Sequence, residues 1–230
     1  MVVLWNNISN GVRVVRLSAP KEIEELVRLF EDVAQKEVWQ PSGALRLWLE
    51  RSVYFALELN GQLIGGLQMV RPDPMGMLPS QSLWPEVQIG SPGRCNHIAV
   101  LALQDAFRGQ PLLFWRLVVE MWRYCVGEGL TTLLIEVTPR VLPLYQRLGW
   151  PLEIRGELRR HWGEDCYLCT LGIPEVAEAL LRRMEQRGFD SADPYYLRVE
   201  AALQHTHTVM IWTFYATVKR GIGMLERKEK

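Results

Sequence analysis

Apolar positions along this chain change period several times, and each change marks an element. Gly11 to Leu17 reads Gly-Val-Arg-Val-Val-Arg-Leu, β-branched with partial alternation, which predicts a strand. Ser18 then offers an N-cap and Pro20 a first turn. Ile23, Leu26, Val27, Phe30, Val33 and Ala34 follow at helical spacing, so an amphipathic helix is predicted. A shorter helix is expected over Gly43 to Arg51. Tyr54 to Leu59 and Leu63 to Val70 are strand-like runs joined by Asn60-Gly61, a pair suited to a tight hairpin because both central residues accept positive φ. Arg71 to Gly93 is polar, rich in proline and glycine, and too long for an ordinary connection.

Cys95 to Leu101 predicts another strand. Pro111 to Val126 predicts a helix apolar on most sides. Only Arg116, Glu120 and Arg123 interrupt it, along one stripe, so it should be largely buried. Gly127 and Gly129 end it. Thr132 to Val137 reads as a strand, Val141 to Leu148 as a short helix closed by Gly149. Ile154 to Gly172 holds the last strand or strands, most clearly Cys166 to Leu171. From Pro174 the pattern turns helical, with Val176, Ala177, Leu180, Leu181 and Met184 on one face, and Asp190 to Lys230 reads as a helical tail with a charged end. The predicted fold is α/β, a mixed sheet with helices packed on it. It forms one domain over residues 1–173, followed by a helical extension over 174–230.

Composition narrows the classes. The 230 residues suffice for one sizeable domain with its core. A net charge of +0 removes the chain-wide basic footprint of a nucleic-acid binder, so no nucleic acid is expected. No apolar run approaches the ~20 residues of a membrane span. The Val209 to Val218 stretch is short and interrupted by Thr213 and Thr217. The start, Met1-Val-Val-Leu-Trp-Asn-Asn, lacks a signal-peptide pattern, so Cys95, Cys125, Cys166 and Cys169 are expected as reduced thiols in a cytoplasmic protein. Cys166-Tyr167-Leu168-Cys169 lacks a partner pair and His205-Thr206-His207 lacks a third ligand, so no metal is expected.

Candidate chemistry concentrates between Cys95 and Leu171. Ile98-Ala99-Val100-Leu101 leads through Phe107-Arg108-Gly109-Gln110-Pro111-Leu112-Leu113 into the long helix. A loop that opens a helix after a strand gathers free N–H groups and the positive end of the helix dipole, a natural seat for pyrophosphate or phosphopantetheine. Glu136 is a carboxylate in the otherwise apolar run Leu133-Leu134-Ile135-Glu136-Val137. It is either a base or a solvated residue near the strand end.

Two motifs carry a resemblance. Arg108-Gly109-Gln110-Pro111-Leu112-Leu113 precedes the long helix, and Tyr145-Gln146-Arg147-Leu148-Gly149-Trp150 follows the next strand. Together they resemble the GNAT acyltransferases, with a loop Arg/Gln-x-x-Gly-x-Gly/Ala and a short helix Tyr-x-x-x-Gly-Phe. Pro111 and Leu113 depart from the loop pattern. Proline removes one N–H donor while suiting a first helical turn. Val137 to Leu152 and the hairpin exit Gly65 to Pro79 are similar to the acyl-homoserine-lactone synthases and the long-chain N-acyl amino acid synthases, and the likeness covers roughly Tyr54 to Ile173. Those families open the strand as Glu-x-Ser-Arg-Leu/Phe-Ala-Val. Here Arg94 replaces the acid and His97 the arginine, which argues against a quorum-signal product.

The resemblance implies a GNAT-like acyl-CoA N-acyltransferase fold with a C-terminal helical extension. The donor would be an acyl group, fatty acyl by the branch, on coenzyme A or on the phosphopantetheine of an acyl carrier protein. The acceptor would be the amine of an amino acid or other small molecule. Ile98, Ala99, Val100 and Leu101 would present a backbone N–H to the thioester carbonyl, and Arg108, Gly109, Gln110 and Leu112 would hold phosphate. Tyr145 would protonate the leaving thiolate. His97 would be the base, as an imidazole titrating near ~6.5, with Glu136 as the alternative. Phe114, Trp115 and Trp122 could line an acyl tunnel or fill the core; Met69, Met75 and Met77 could adapt to an acyl chain or pack the loop. An acetyl-CoA-dependent acetyltransferase of a small amine or peptide, and a catalytically degenerate domain that binds a ligand or partner, stay open. So do the roles of the tail: sheet-edge cover, homodimer contact or membrane-surface contact.

Overall fold

Strand pairing sets the architecture. In the computed structural model, which describes residues 11–39, 44–89, 92–148 and 150–173 and positions 175, 176, 179 and 182, seven strands form one sheet. They are β1 (Val12–Leu17), β2 (Ser52–Leu59), β3 (Gln62–Val70), β4 (Cys95–Leu103), β5 (Thr132–Val137), β6 (Leu152–His161) and β7 (Glu164–Gly172). The spatial order is β1-β2-β3-β4-β5-β7-β6. Every neighbouring pair is antiparallel except β4 and β5, which run parallel. The helices are α1 (Pro20–Lys36), α2 (Pro111–Gly127) and α3 (Leu142–Leu148).

Each helix covers the face its apolar stripe dictates. On α1, Leu26, Val27, Phe30 and Val33 are buried and pack with Tyr54, Ala56, Val100 and Ala102 on one face of the sheet. The approach is close. A Cβ at Gly66 would collide with the Phe55 carbonyl oxygen and sit 2.8 Å from Leu26 Cδ1. On α2, Leu117, Val118, Met121, Trp122 and Cys125 bury against Phe55, Leu67, Met69, Ile98, Leu133 and Ile135 on the opposite face. The polar stripe of α2 faces outward, where Arg123 meets Glu120 at 2.5 Å. Gly129, at φ 68°, turns the chain just beyond that helix, as a left-handed residue after a helix end does.

The long connection after β3 has a structural task. α1 covers only the β1–β4 half of its face. Leu78, Trp84 and Val87 from the connection fill the other half, against Cys95, Leu134, Cys166 and Leu168. Trp84 is fully buried and its Nε1 donates to the Glu157 carbonyl at 2.7 Å. The loop also satisfies itself. The Asp73 carboxylate accepts from the Met75 and Met77 amides at 2.9 and 2.8 Å, and Gln81 bridges Leu78 and Val87. Met75 stands out in solvent at 84% exposure, while Met69 is core.

Some local expectations are corrected. The N-cap of α1 is Ala19, not Ser18, and no side chain caps it. Pro20 still opens the helix, because its fixed φ suits a first turn. The short helix expected to Arg51 is two single 3-10 turns, Ala44–Arg46 and Leu49–Arg51. Ile154 to Gly172 resolves into two strands hinged at Trp162-Gly163. The tail from Asp190, with His205 and His207, lies outside the described residues. So do Gly149 and Gly43, the continuous helix expected from Pro174, and the side chains of Leu112 and Trp115. Among the described residues, no helix is long and apolar enough to cross a membrane.

Candidate active site

β4 and β5 pair from Cys95↔Thr132 to Ile98↔Ile135, and then the pairing stops although both strands continue. On the other side of β4, Met69 pairs with Ile98 and Gln68 with Val100, so the register skips Ala99. Ala99 is thus the extra residue of a bulge. A bulge bends its strand and raises the local twist, which turns β4 away from β5. The opening is filled by a cavity of about 730 Å³.

The cavity runs through the sheet. On the α2 side its wall is Ile98, Leu101, Phe114, Val137, Val141 and Tyr145; on the α1 side it is Val33, Leu45, Val100, Trp39 and Trp162. Gly109 and Gln110 border it where α2 begins. Gly109 adopts φ 74°, and a Cβ there would meet nothing within 4 Å, so backbone conformation rather than space selects glycine. Gln110 is the N-cap residue and no side chain caps the helix, so its first-turn donors suit an anion. Leu112 lies in that first turn.

Arg108 also borders the cavity, but its charge is already engaged. Its guanidinium pairs with Glu37, sits 3.2 Å from Asp105 and donates to the Leu103 carbonyl at 3.3 Å. The side chain braces the loop between the end of α1 and the start of α2.

Tyr145 lines the cavity and stacks on Trp150 at 5.0 Å, and Trp150 in turn stacks on Phe114 at 5.7 Å. Burial, with Cys169 nearby, pushes the Tyr145 phenol up to about 12, so it keeps its proton at neutral pH. Trp122 is core, donating to the Ile173 carbonyl at 3.2 Å. Of the three aromatic candidates on α2, Phe114 is in the wall and Trp122 is not.

Glu136 and His97 meet, with two partners that sequence reasoning missed. Glu136 borders the cavity, with its side chain 7% exposed. Its Oε2 accepts from Trp162 Nε1 at 2.9 Å and lies 3.0 Å from His161 Nδ1; its Oε1 lies 3.4 Å from His97 Nε2. His97 is fully buried and is not in the cavity wall, so Glu136, not His97, fronts the opening. The imidazole contacts have the distances of charge pairs but not the angles of hydrogen bonds. Among the described residues, both His97 nitrogens, His161 Nδ1 and Glu136 Oε1 find no partner with hydrogen-bond geometry. Burial by itself would push the Glu136 carboxyl up. The His97 charge and the contacts from His161 and His97 outweigh it and hold the group down at about 2. A visible signal did exist for the missed pair. His161-Trp162-Gly163-Glu164 is a two-residue hairpin turn like Asn60-Gly61, yet it places a tryptophan at φ 53°. A bulky residue in that region is strained, and here its ring holds Glu136.

No protein-family model matches the chain, and no curated protein matches it. Solved structures do. FeeM, an N-acyl amino acid synthase from uncultured soil microbes, superposes with a TM-score of 0.65 at 17% identity, over 78% of this chain and 98% of that one. BjaI, a CoA-dependent acyl-homoserine lactone synthase solved with SAM and isopentyl-CoA, gives 0.60 at 15% identity, over 79% and 90%. The AHL synthase LasI gives 0.57 at 16% identity, over 74% and 93%. The chain has a GNAT-like fold, which it shares with these N-acyl amino acid and acyl-homoserine lactone synthases.

Proposed function

We propose that this protein is an N-acyltransferase that moves an acyl group from a pantetheine thioester to the amine of an amino acid or another small molecule. One observation carries this: the parting of β4 and β5 beyond Ile98, with a cavity running through the gap from a helix N-terminus to a buried carboxylate. A pantetheine arm is slender and amide-bearing, so it suits a gap between strands whose backbone groups have lost their sheet partners. The aromatic and aliphatic wall on the α2 side suits a long acyl chain. The fold likeness to FeeM supports the same branch.

The chemistry follows from placement. A backbone N–H of β4 near the Ala99 bulge polarises the thioester carbonyl, as a fixed donor does in a water-poor site. The amine nitrogen forms a bond to the carbonyl carbon and the C–S bond breaks. Tyr145 gives its proton to the departing sulfur. Glu136 takes the proton that the nitrogen loses. Arg108 holds the phosphate loop in shape, and the Gln110–Leu112 turn contacts the phosphate.

The donor is carrier-bound acyl-phosphopantetheine rather than acyl-CoA. Pro111 removes one donor from the turn, and Arg108 is committed to Glu37 and Asp105, which leaves a cradle better matched to one phosphate than to a pyrophosphate. The test offers acyl-carrier protein and acyl-CoA of several chain lengths with pooled amino acids and amines, and reads products by mass. A long-chain N-acyl product supports the proposal. Transfer of acetyl alone refutes the acyl assignment, and a strong preference for CoA refutes the donor assignment.

A further inference from the structure

Among the described residues, four buried side-chain atoms without a hydrogen-bond partner belong to three neighbouring residues, His97, Glu136 and His161, which the proposed reaction only partly uses. His97, fully buried, has neither ring nitrogen hydrogen-bonded, and both of its β-sheet neighbours in register, Val70 and Leu134, are apolar. A buried imidazole without partners is unfavourable unless another task retains it. Its near polar neighbour is Glu136 Oε1 at 3.4 Å. On the far oxygen, His161 Nδ1 sits at 3.0 Å, and the His161 side chain is 26% exposed. Thus one carboxylate bordering the cavity joins a sealed imidazole to a solvent-touching one.

Resting on the acyltransfer reading above, we infer that His97 and His161 act through Glu136 as a two-imidazole proton relay. The amine proton passes to the Glu136 carboxylate and on to His97 Nε2, which regenerates the carboxylate. His97 holds the proton while substrates fill the cavity, and it leaves through Glu136 and His161 to water. Each step moves one proton and no electron pair leaves the unit. His97 and His161 never touch substrate; both are positioning residues.

The electrostatics agree with this direction. A carboxylate held well below its usual range is a poor place for a proton to stay, and an imidazole nitrogen 3.4 Å away is a group that can take it. While His97 is neutral, Glu136 loses its strongest lowering partner and is the better base. Once His97 is charged, the pair is the close charge contact observed. The 3.4 Å separation is long for transfer, as catalytic contacts often are before substrate closes the site. Other titratable groups lie around the unit. Glu37, Arg108, Arg140, Glu164 and Cys166 line the cavity with Glu136. Arg159 and Arg160 on β6 and Asp165 on β7 flank the turn that carries His161, and Cys95 is on β4, while β3 carries none. Cys166 is pushed up to about 12, chiefly by burial, so it stays a thiol across the range of the test.

The test uses the full chain and its best donor–amine pair. In the wild type kcat/KM should show an acid limb. In His97→Gln it should move at least one pH unit lower, towards the carboxyl range, with kcat reduced ten- to a hundredfold and both KM values within about threefold. His161→Gln, at a side chain 26% exposed, should lower kcat without moving the limb as far. Independently of turnover, ring-nitrogen NMR should show both imidazole signals changed in Glu136→Gln relative to the wild type. A limb unmoved in His97→Gln, or imidazole signals unchanged in Glu136→Gln, overturns the relay and leaves acyltransfer standing. A wild type that turns over no thioester–amine pair overturns acyltransfer and the relay with it.

Discussion

Ile98 on β4 and Ile135 on β5 are the last residues to face each other across the parallel pair, and one position later β4 carries the unpaired Ala99. The coincidence of bulge and parting is what makes an opening in the middle of the sheet.

A larger side chain at Ala99 should close that opening. Ala99→Leu places three more carbons on a partly buried residue of the cavity wall. Donor binding, measured by calorimetry with the preferred thioester, should weaken at least tenfold while the melting temperature moves by no more than ~3 °C. Unchanged binding would show that the donor lies elsewhere.

Tyr145→Phe removes a hydroxyl and keeps the ring that stacks on Trp150. The expected loss in kcat is about 10²-fold, the lower range for a general acid, with donor KM little changed. A thioester whose thiol is more acidic needs less help in leaving, so it should recover most of the rate. Equal losses for both thioesters would remove Tyr145 from the acid role.

Glu136 should leave a mark on acid unfolding. Its folded pKa, about 2, lies below the ~4.3 of an unfolded glutamate. A depressed carboxyl contributes stability that is fully present above the unfolded value and is lost as pH falls through the folded one. Denaturant titrations of wild type and Glu136→Gln should therefore differ most above pH ~5, with the difference shrinking between pH ~4.3 and about 2. A difference that grows on acidification would contradict the assigned direction.

Two packing changes test the scaffold. Gly66→Ala forces a Cβ into the Phe55 carbonyl and the Leu26 side chain, and overpacking of this kind destabilises by about 1–3 kcal/mol. Trp84→Ala empties a fully buried site and strands the Glu157 carbonyl acceptor; a loss of roughly 3–5 kcal/mol is expected. Chemical denaturation reads both. A near-neutral Trp84→Ala would mean that the connection after β3 is not part of the core.

Much of the scaffold was legible because the signals are local. The stripe from Ile23 to Val33 gives α1 its buried face, and Asn60-Gly61 adopts the positive φ values that its hairpin needs. Arg108-Gly109-Gln110 and Tyr145 could be placed at a loop and a short helix from motif alone, and both border the cavity. The N-cap was misplaced by one residue, because Pro20 fixes a helix start that no side chain helps to define. The function of Arg71 to Gly93 as core was hidden, since its apolar residues follow no period.

What the sequence determined by itself was the order of elements, the faces of α1 and α2, and the residue types available at the cavity. Those depend on periodicity and on turn-specific backbone angles, which neighbours along the chain decide. The arrangement of those residues at the cavity was decided by tertiary structure alone. Register across β3, β4 and β5 creates the gap at Ala99, and the β6–β7 turn carries His161 and Trp162 to a carboxylate about twenty-five residues earlier. The physical reason is that burial and charge pairing depend on distances through space, so the order of Glu136 before His97 at the cavity exists only once the sheet has formed.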